Sequence, residues 1–251
     1  MTDKQWNAFC NFKEKYKELC KKWGQISEKL YPLQKEAAKK DTPDYEIENS
    51  IVYNSAYEKI TKDDEIKIIV IGDNPGKEEQ QNNKLSYLVG QAGRIADGFF
   101  KHNSELNVDF RKNVLIMNKT PVHTAKTSHL KFVLKNGDSS VKEVLEESQR
   151  ECAMLTAELQ KNLGCKIWLV GYSELKEKRI FDGYRKCFAG QYDGDSLNWE
   201  KIFVYQHFSM NRFLVDLKEF REKNPQLLLE ESLYKLGHLH RDEIFNCYQK
   251  R

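Results

Sequence analysis

Four places in this chain put polar side chains directly after an apolar run, and their types suit proton transfer and hydrogen bonding. The stretch "IKIIVIGDNPGKEEQ", from Ile66, leaves its apolar run at Gly72, Asp73, Asn74, Pro75 and Gly76. A second run, "NVLIMN" from Asn113, closes on Asn118 and continues Lys119-Thr120-Pro121. A third, "KIWLVG" from Lys166, closes on Gly171-Tyr172, and a fourth, "KIFVYQH" from Lys201, on Gln206-His207-Phe208-Ser209. A carboxylate can take a proton from water, a carboxamide can donate and accept together, and an imidazole can donate to a developing anion. Each residue alone has a plainer reading. Asp73 and Asn74 before Pro-Gly suit a tight turn, Asn118 suits a capped strand end, and His207 suits a buried, satisfied ring. As a set they exceed what turns require.

These residues share one site only if the runs are neighbouring strands. Each run is nearly continuous in aliphatic, β-branched or aromatic residues, as strands covered on both faces are. Helical periodicity falls between them, over about 89–103, 143–163 and 173–189, with a further tract at 210–222. Ser139 or Ser140 and Ser173 are available as caps. Strands alternating with helices predict a parallel sheet between helical layers, and ligands of such sheets sit outside the carboxyl ends of the strands. Residues 4–40 also read as helical, with Trp6, Phe9, Phe12, Tyr16 and Leu19 at spacings of three and four. The expected organisation is an N-terminal helical extension (1–60) packed on the core, an α/β domain (61–222) and a C-terminal helical tail (223–251), forming one globular unit. The polar tract 120–140 reads as a solvated loop or as one wall of a binding groove carrying Lys126, His129 and Lys131.

At 251 residues the chain can bury a sizeable core. No apolar run approaches the ~20 residues of a membrane span. The N-terminus has no apolar stretch followed by a small-residue cleavage site, so an intracellular protein is expected. Lys+Arg 41 against Asp+Glu 38 leaves a net charge of +3, too small to imply nucleic acid by itself. The six cysteines form no C-x-x-C pair, which favours reduced, packed thiols over a zinc or iron–sulfur site.

The ordered motifs "GDNPGKEEQ", "LVGQAGRIADGF", "NVLIMNKTP", "IWLVG" and "HFSMNRF" resemble those of the uracil-DNA glycosylase superfamily, over about 66–213. They mix features of its thermophile-type branch (family 4) with those of its single-strand-selective and mismatch-specific branches. The resemblance implies a three-layer α/β/α sandwich around a four-stranded parallel sheet. It also implies hydrolysis of the N-glycosidic bond of uracil or a related deaminated base in DNA; a monomer without cofactor or metal is expected. On that footing Asp73 activates water, Asn74 orients water or substrate, and His207 stabilises the leaving base. Asn118 would read the flipped base, with Gly72, Pro75, Gly76, Tyr87 and Leu88 around it. Gln91, Ser209, Met210, Asn211 and Arg212 would meet DNA, Met210 and Arg212 filling the vacated stack.

Several positions depart from the superfamily pattern. The expected aromatic before Val89 is Leu88, with Tyr87 one step earlier, and the residue after His207 is Phe208 where proline is usual. No cysteine closely follows Asn118, so no iron–sulfur cluster is expected. Gly76 leaves room for groups larger than hydrogen at C5 of a pyrimidine. Two other readings stay open at this level: an inactive superfamily member that binds nucleic acid, and an α/β hydrolase or binding protein for a small nucleotide. The second lacks the G-x-x-x-x-G-K-[ST] cradle.

Overall fold

The structure is a computed structural model and describes residues 1–245. Its centre is a sheet of β1 (Ile68–Gly72), β2 (Val114–Asn118), β3 (Lys166–Val170) and β4 (Ile202–Tyr205). All neighbours are parallel, in the order β2-β1-β3-β4, with Gly72 level with Asn118 and Val170 level with Tyr205. Parallel strands need crossovers, so both faces are covered and every strand residue but Lys166 is buried. The protein is an α/β sandwich with helical extensions at both ends.

Alternation of side chains divides the sheet into two faces. On one, Trp168 of β3 meets Phe99 and Phe100 of α3 (Gln91–His102) and Phe213 of α8 (Arg212–Lys223), with ring centroids 5.2–6.3 Å apart. On this side α9 (Leu229–Phe245) lies against β4, where Tyr205 Oη donates to the Leu233 carbonyl at 2.9 Å. The helix comes this close because Gly237 faces β4: a Cβ there would stand 2.7 Å from Tyr205 Oη. The opposite layer is built on α5 (Ser139–Leu163), which packs against α1 (Asp3–Gly24) and α6 (Asp182–Gly190). Asp138 caps α5 by accepting from the Val141 amide, and Gly164 ends it in the left-handed region (φ +70°).

The helical N-terminus is two helices, not one. Helix α1 carries a capping box at Thr2 and stops at Gly24, and α2 (Ser27–Lys39) starts after a turn through Gln25 and Ile26. Glycine is a weak helix former, which suits the break, and Pro32 lies inside α2, where it removes one backbone donor. The helix expected over 173–189 also divides. A 3-10 turn at Tyr172–Leu175 is followed by irregular chain with Lys178 at positive φ, and only then by α6. The break buries Phe181, whose ring faces a buried lysine at the end of β2. In the 120–140 tract Thr120–Thr124 are buried, and α4 (His129–Asn136) follows, so this segment is structured rather than a solvated loop. Gln34 of α2 holds it, donating to the carbonyls of Ser50 and His123.

Among the described residues no helix is long and apolar enough to cross a membrane. Cys10, Cys20, Cys152, Cys165 and Cys187 are free thiols, and burial pushes those of Cys20, Cys152 and Cys165 upward. Cys247 lies outside the described residues.

Candidate active site

A cleft of about 710 Å³ opens at the carboxyl ends of all four strands, within the range of small-molecule and nucleotide sites. Asp73 and Asn74 enter it from β1, Asn118 from β2, Gly171, Ser173 and Glu174 from the chain after β3, and Gln206 and His207 from β4. The cleft spans the gap beyond the ends of the paired strands β1 and β3, where the chain leaves in opposite directions along the sheet.

Asp73 is buried at this gap. Its Oδ1 accepts from Lys119 Nζ at 2.7 Å, and its Oδ2 from Thr127 Oγ1 at 3.2 Å. Gly171, at φ +94°, makes the approach possible: a Cβ there would stand 2.2 Å from Asp73 Oδ1. Asn74 has a determined orientation. Its Nδ2 donates to Thr124 Oγ1 at 2.9 Å and lies within 3.3–3.4 Å of the carbonyls of Pro75, Val122 and Thr124. Reversing the amide would set oxygen against three carbonyls, so Oδ1 stays available as an acceptor.

Asn118 is buried, and its Nδ2 has no hydrogen-bond partner among the described residues. An unpartnered buried donor costs about 1–3 kcal/mol. Its placement on the cleft wall makes it ready for an acceptor brought by a ligand. Gly72 supports the arrangement from β1, since a Cβ there would meet Asn118 Oδ1 at 2.5 Å.

His207 is fixed by the turn that follows it. The Ser209 amide donates to Nδ1 at 3.1 Å, and Ser209 Oγ lies 2.7 Å from the same nitrogen. Nδ1 is therefore an acceptor and the ring proton sits on Nε2. Burial lowers the pKa, Asp73 opposes this, and Lys119 and Arg212 reinforce it. The ring is a neutral Nε2–H donor at neutral pH. Met210 and Asn211, the next residues of this turn, both adopt positive φ, a conformation that costs non-glycine residues energy and often marks functional turns.

Gly76, Leu88, Gln91, Ser209, Met210 and Arg212 also line the cleft, and Met210 and Arg212 are exposed at its mouth. A Cβ at Gly76 would meet nothing within 4 Å. Leu88, at φ +49°, packs its carbonyl against Gly93 so closely that a Cβ there would stand 1.5 Å away. Tyr87 corrects an expectation. Its ring is in the core, its hydroxyl bonded to Tyr16 Oη at 2.6 Å and to the Val52 carbonyl at 2.5 Å, so it is not placed to stack on a base. Gly72, Pro75 and Asn211 do not line the cleft. Pro75 acts through its carbonyl, which accepts from the Thr124 amide and lies 2.9 Å from His123 Nδ1. Of the three groove candidates only Lys126 lines the cleft, while His129 is buried against Asp41 and Lys131 pairs with Glu174 at 3.3 Å.

Two site residues were not singled out from sequence. Lys119 carried a signal, being a lysine where a buried strand ends. Glu79 carried none. Its carboxyl is buried at the cleft wall, accepts from the Gly76 amide at 2.9 Å, and is pushed up to about 7 by burial. Backbone amides of Gly76, Leu88 and Val89 oppose that rise, so Glu79 ties together both ends of the 76–89 segment. Lys77, Arg94, Lys126 and Arg212 line the cleft together with Glu78 and Glu174, Arg94 being paired with Glu78 at 3.4 Å and Lys126 with Asp41 at 3.1 Å. Among the described residues no group of three or more His, Cys, Asp or Glu side chains could hold a metal ion. Comparison of the chain with protein-family models, curated proteins and solved structures finds no match.

Proposed function

We propose that this protein is a DNA-repair glycosylase that hydrolyses the N-glycosidic bond of uracil, or a related deaminated base, after the base has flipped out of the helix. The reading rests on the motif resemblance, and one observation carries it further. A buried amide donor without a partner, Asn118 Nδ2, shares a cleft with a carboxylate and a neutral imidazole donor. Uracil offers O4 to such a donor and N3–H to the amide oxygen, whereas cytosine presents the reverse at both positions.

In this reading water attacks C1′ of the deoxyribose, the new C–O bond forms as the C1′–N1 bond breaks, and the electron pair leaves with the base. Asp73 receives the water proton, and the fixed Oδ1 of Asn74 orients the water. His207 Nε2–H donates to the developing charge on O2. Flipping costs a few kcal/mol of stacking. Met210 and Arg212, exposed on the turn after His207, are placed to offset part of it. Lys77 and Arg212, cations of the cleft lining, suit phosphates.

The test is release of free base from single- and double-stranded oligonucleotides carrying uracil, hypoxanthine, xanthine or mismatches. Asp73→Asn should lower single-turnover release roughly 10²–10⁴-fold, with oligonucleotide affinity unchanged. Near-full turnover in that variant would transfer the water to Asn74. Tight binding with no release from any lesion would favour an inactive nucleic-acid binder. Competition by mononucleotides as strong as by oligonucleotides would favour a small-nucleotide protein.

A further inference from the structure

Lys119 has no exposed side-chain surface, yet it carries an ammonium. Its three N–H donors meet three acceptors: Asp73 Oδ1 at 2.7 Å, the Gly72 carbonyl at 3.2 Å and the Val170 carbonyl at 2.5 Å. The Phe181 ring lies 5.1 Å from Nζ. Its own backbone amide donates to the carbonyls of Gly72 and Asp73. The residue that follows β2 thus ties the ends of β1 and β3 together beside Asp73, which lines the cleft.

We propose that Lys119 is a positioning residue of the active site, clamping one oxygen of Asp73 so that the other is presented to the cleft beside Thr127. The inference rests on the glycosylase reading for its kinetic consequences, but not for the pairing itself. A carboxylate is planar, so fixing Oδ1 fixes Oδ2. Gly171 forms the other jaw, because any side chain there would displace Oδ1 from Nζ. A purely structural lysine would serve the two carbonyls equally well with an asparagine at position 73. A positioning lysine acts through the carboxylate.

The charged and titratable groups facing Lys119 are Asp73 from the end of β1, Glu174 from the turn after β3 and His207 from the end of β4. Burial pulls the ammonium down, and Asp73 and then Glu174 pull it back up. Replacing Asp73 by a neutral amide therefore leaves burial less opposed.

The experiment combines Lys119→Met, Gly171→Ala, Asp73→Asn and the Asp73→Asn/Lys119→Met pair. Single-turnover uracil release against pH and affinity for a uracil oligonucleotide are measured, together with the ¹⁵Nζ titration of Lys119 in the free protein. Lys119→Met should lose about 10²-fold in release, with affinity within about threefold. In the Asp73→Asn background the same substitution should add less than about threefold, since partners in one interaction are not additive. Lys119 should lose its proton at lower pH in Asp73→Asn than in the wild type. Gly171→Ala should reproduce the loss of release and that shift, which keeps the test open if Lys119→Met does not fold. A full, independent loss in the Asp73→Asn background would overturn the proposal, as would an unmoved Lys119 titration. If the wild type releases no base, the glycosylase reading falls, and the Lys119 titration still decides whether the clamp exists.

Discussion

Asn118→Ala should move stability and activity in opposite directions. In the folded protein the Asn118 amide is buried with Nδ2 unpartnered, a penalty of about 1–3 kcal/mol that the alanine variant removes. The space left behind opens into the cleft rather than closing as an interior void, so water fills it and the cavity cost of a core truncation is small. For a chain of this size each kcal/mol corresponds to about 2–4 °C in Tm. The variant should melt about 2–12 °C above the wild type. Uracil meanwhile loses two partners, for O4 and N3–H, at about 1–3 kcal/mol each. Release should fall by roughly 30-fold to 10⁴-fold. Scanning calorimetry at fixed pH and single-turnover release from one uracil oligonucleotide read the two effects. A Tm lowered by several degrees with release within threefold of wild type would refute the reasoning, because the amide would then be a packing group of the core.

The remaining expectations follow from the same geometry. His207→Ala should lower release about 10²–10³-fold, as loss of a donor to a developing anion does. Because the imidazole is held below its ordinary pKa, wild-type rates should not decline between pH 7 and 9 through this group, and a decline there would mean that a charged donor is needed. Met210→Ala combined with Arg212→Ala should weaken turnover on duplex substrates more than on single strands, with equal losses arguing against a wedge. Glu79 titrates near 7 when folded against 4.5 when unfolded, so between those values the native state binds more protons and stability falls as pH rises. The wild type should therefore lose about 3 kcal/mol relative to Glu79→Gln between pH 4.5 and 7, visible as converging or crossing Tm curves. Parallel curves would show that the carboxyl is not held protonated.

Much of the architecture was legible in the chain itself. The apolar runs ending at Gly72, Asn118, Gly171 and Gln206 fall on β1 to β4, because strands buried on both faces admit little else. Where the reading of the sequence misled, a contact between residues remote in sequence had outweighed local pattern. The 173–189 tract breaks so that Phe181 can be buried against Lys119, and the polar 120–140 tract folds because Gln34 captures its backbone. Tyr87 and Leu88 were both candidates for the cleft. Only packing sent the tyrosine to Tyr16 and left the leucine on the cleft wall.

Residue types and their order along the chain determined the strands, the helices and which polar groups stand at the strand ends, since these follow from local sterics and the alternation of burial. Strand order, the Lys119–Asp73 pair, the direction of the Asn74 amide and the unpartnered Asn118 nitrogen were decided by tertiary structure alone. Each depends on distances between atoms remote in sequence, and a hydrogen bond changes character over a few tenths of an ångström.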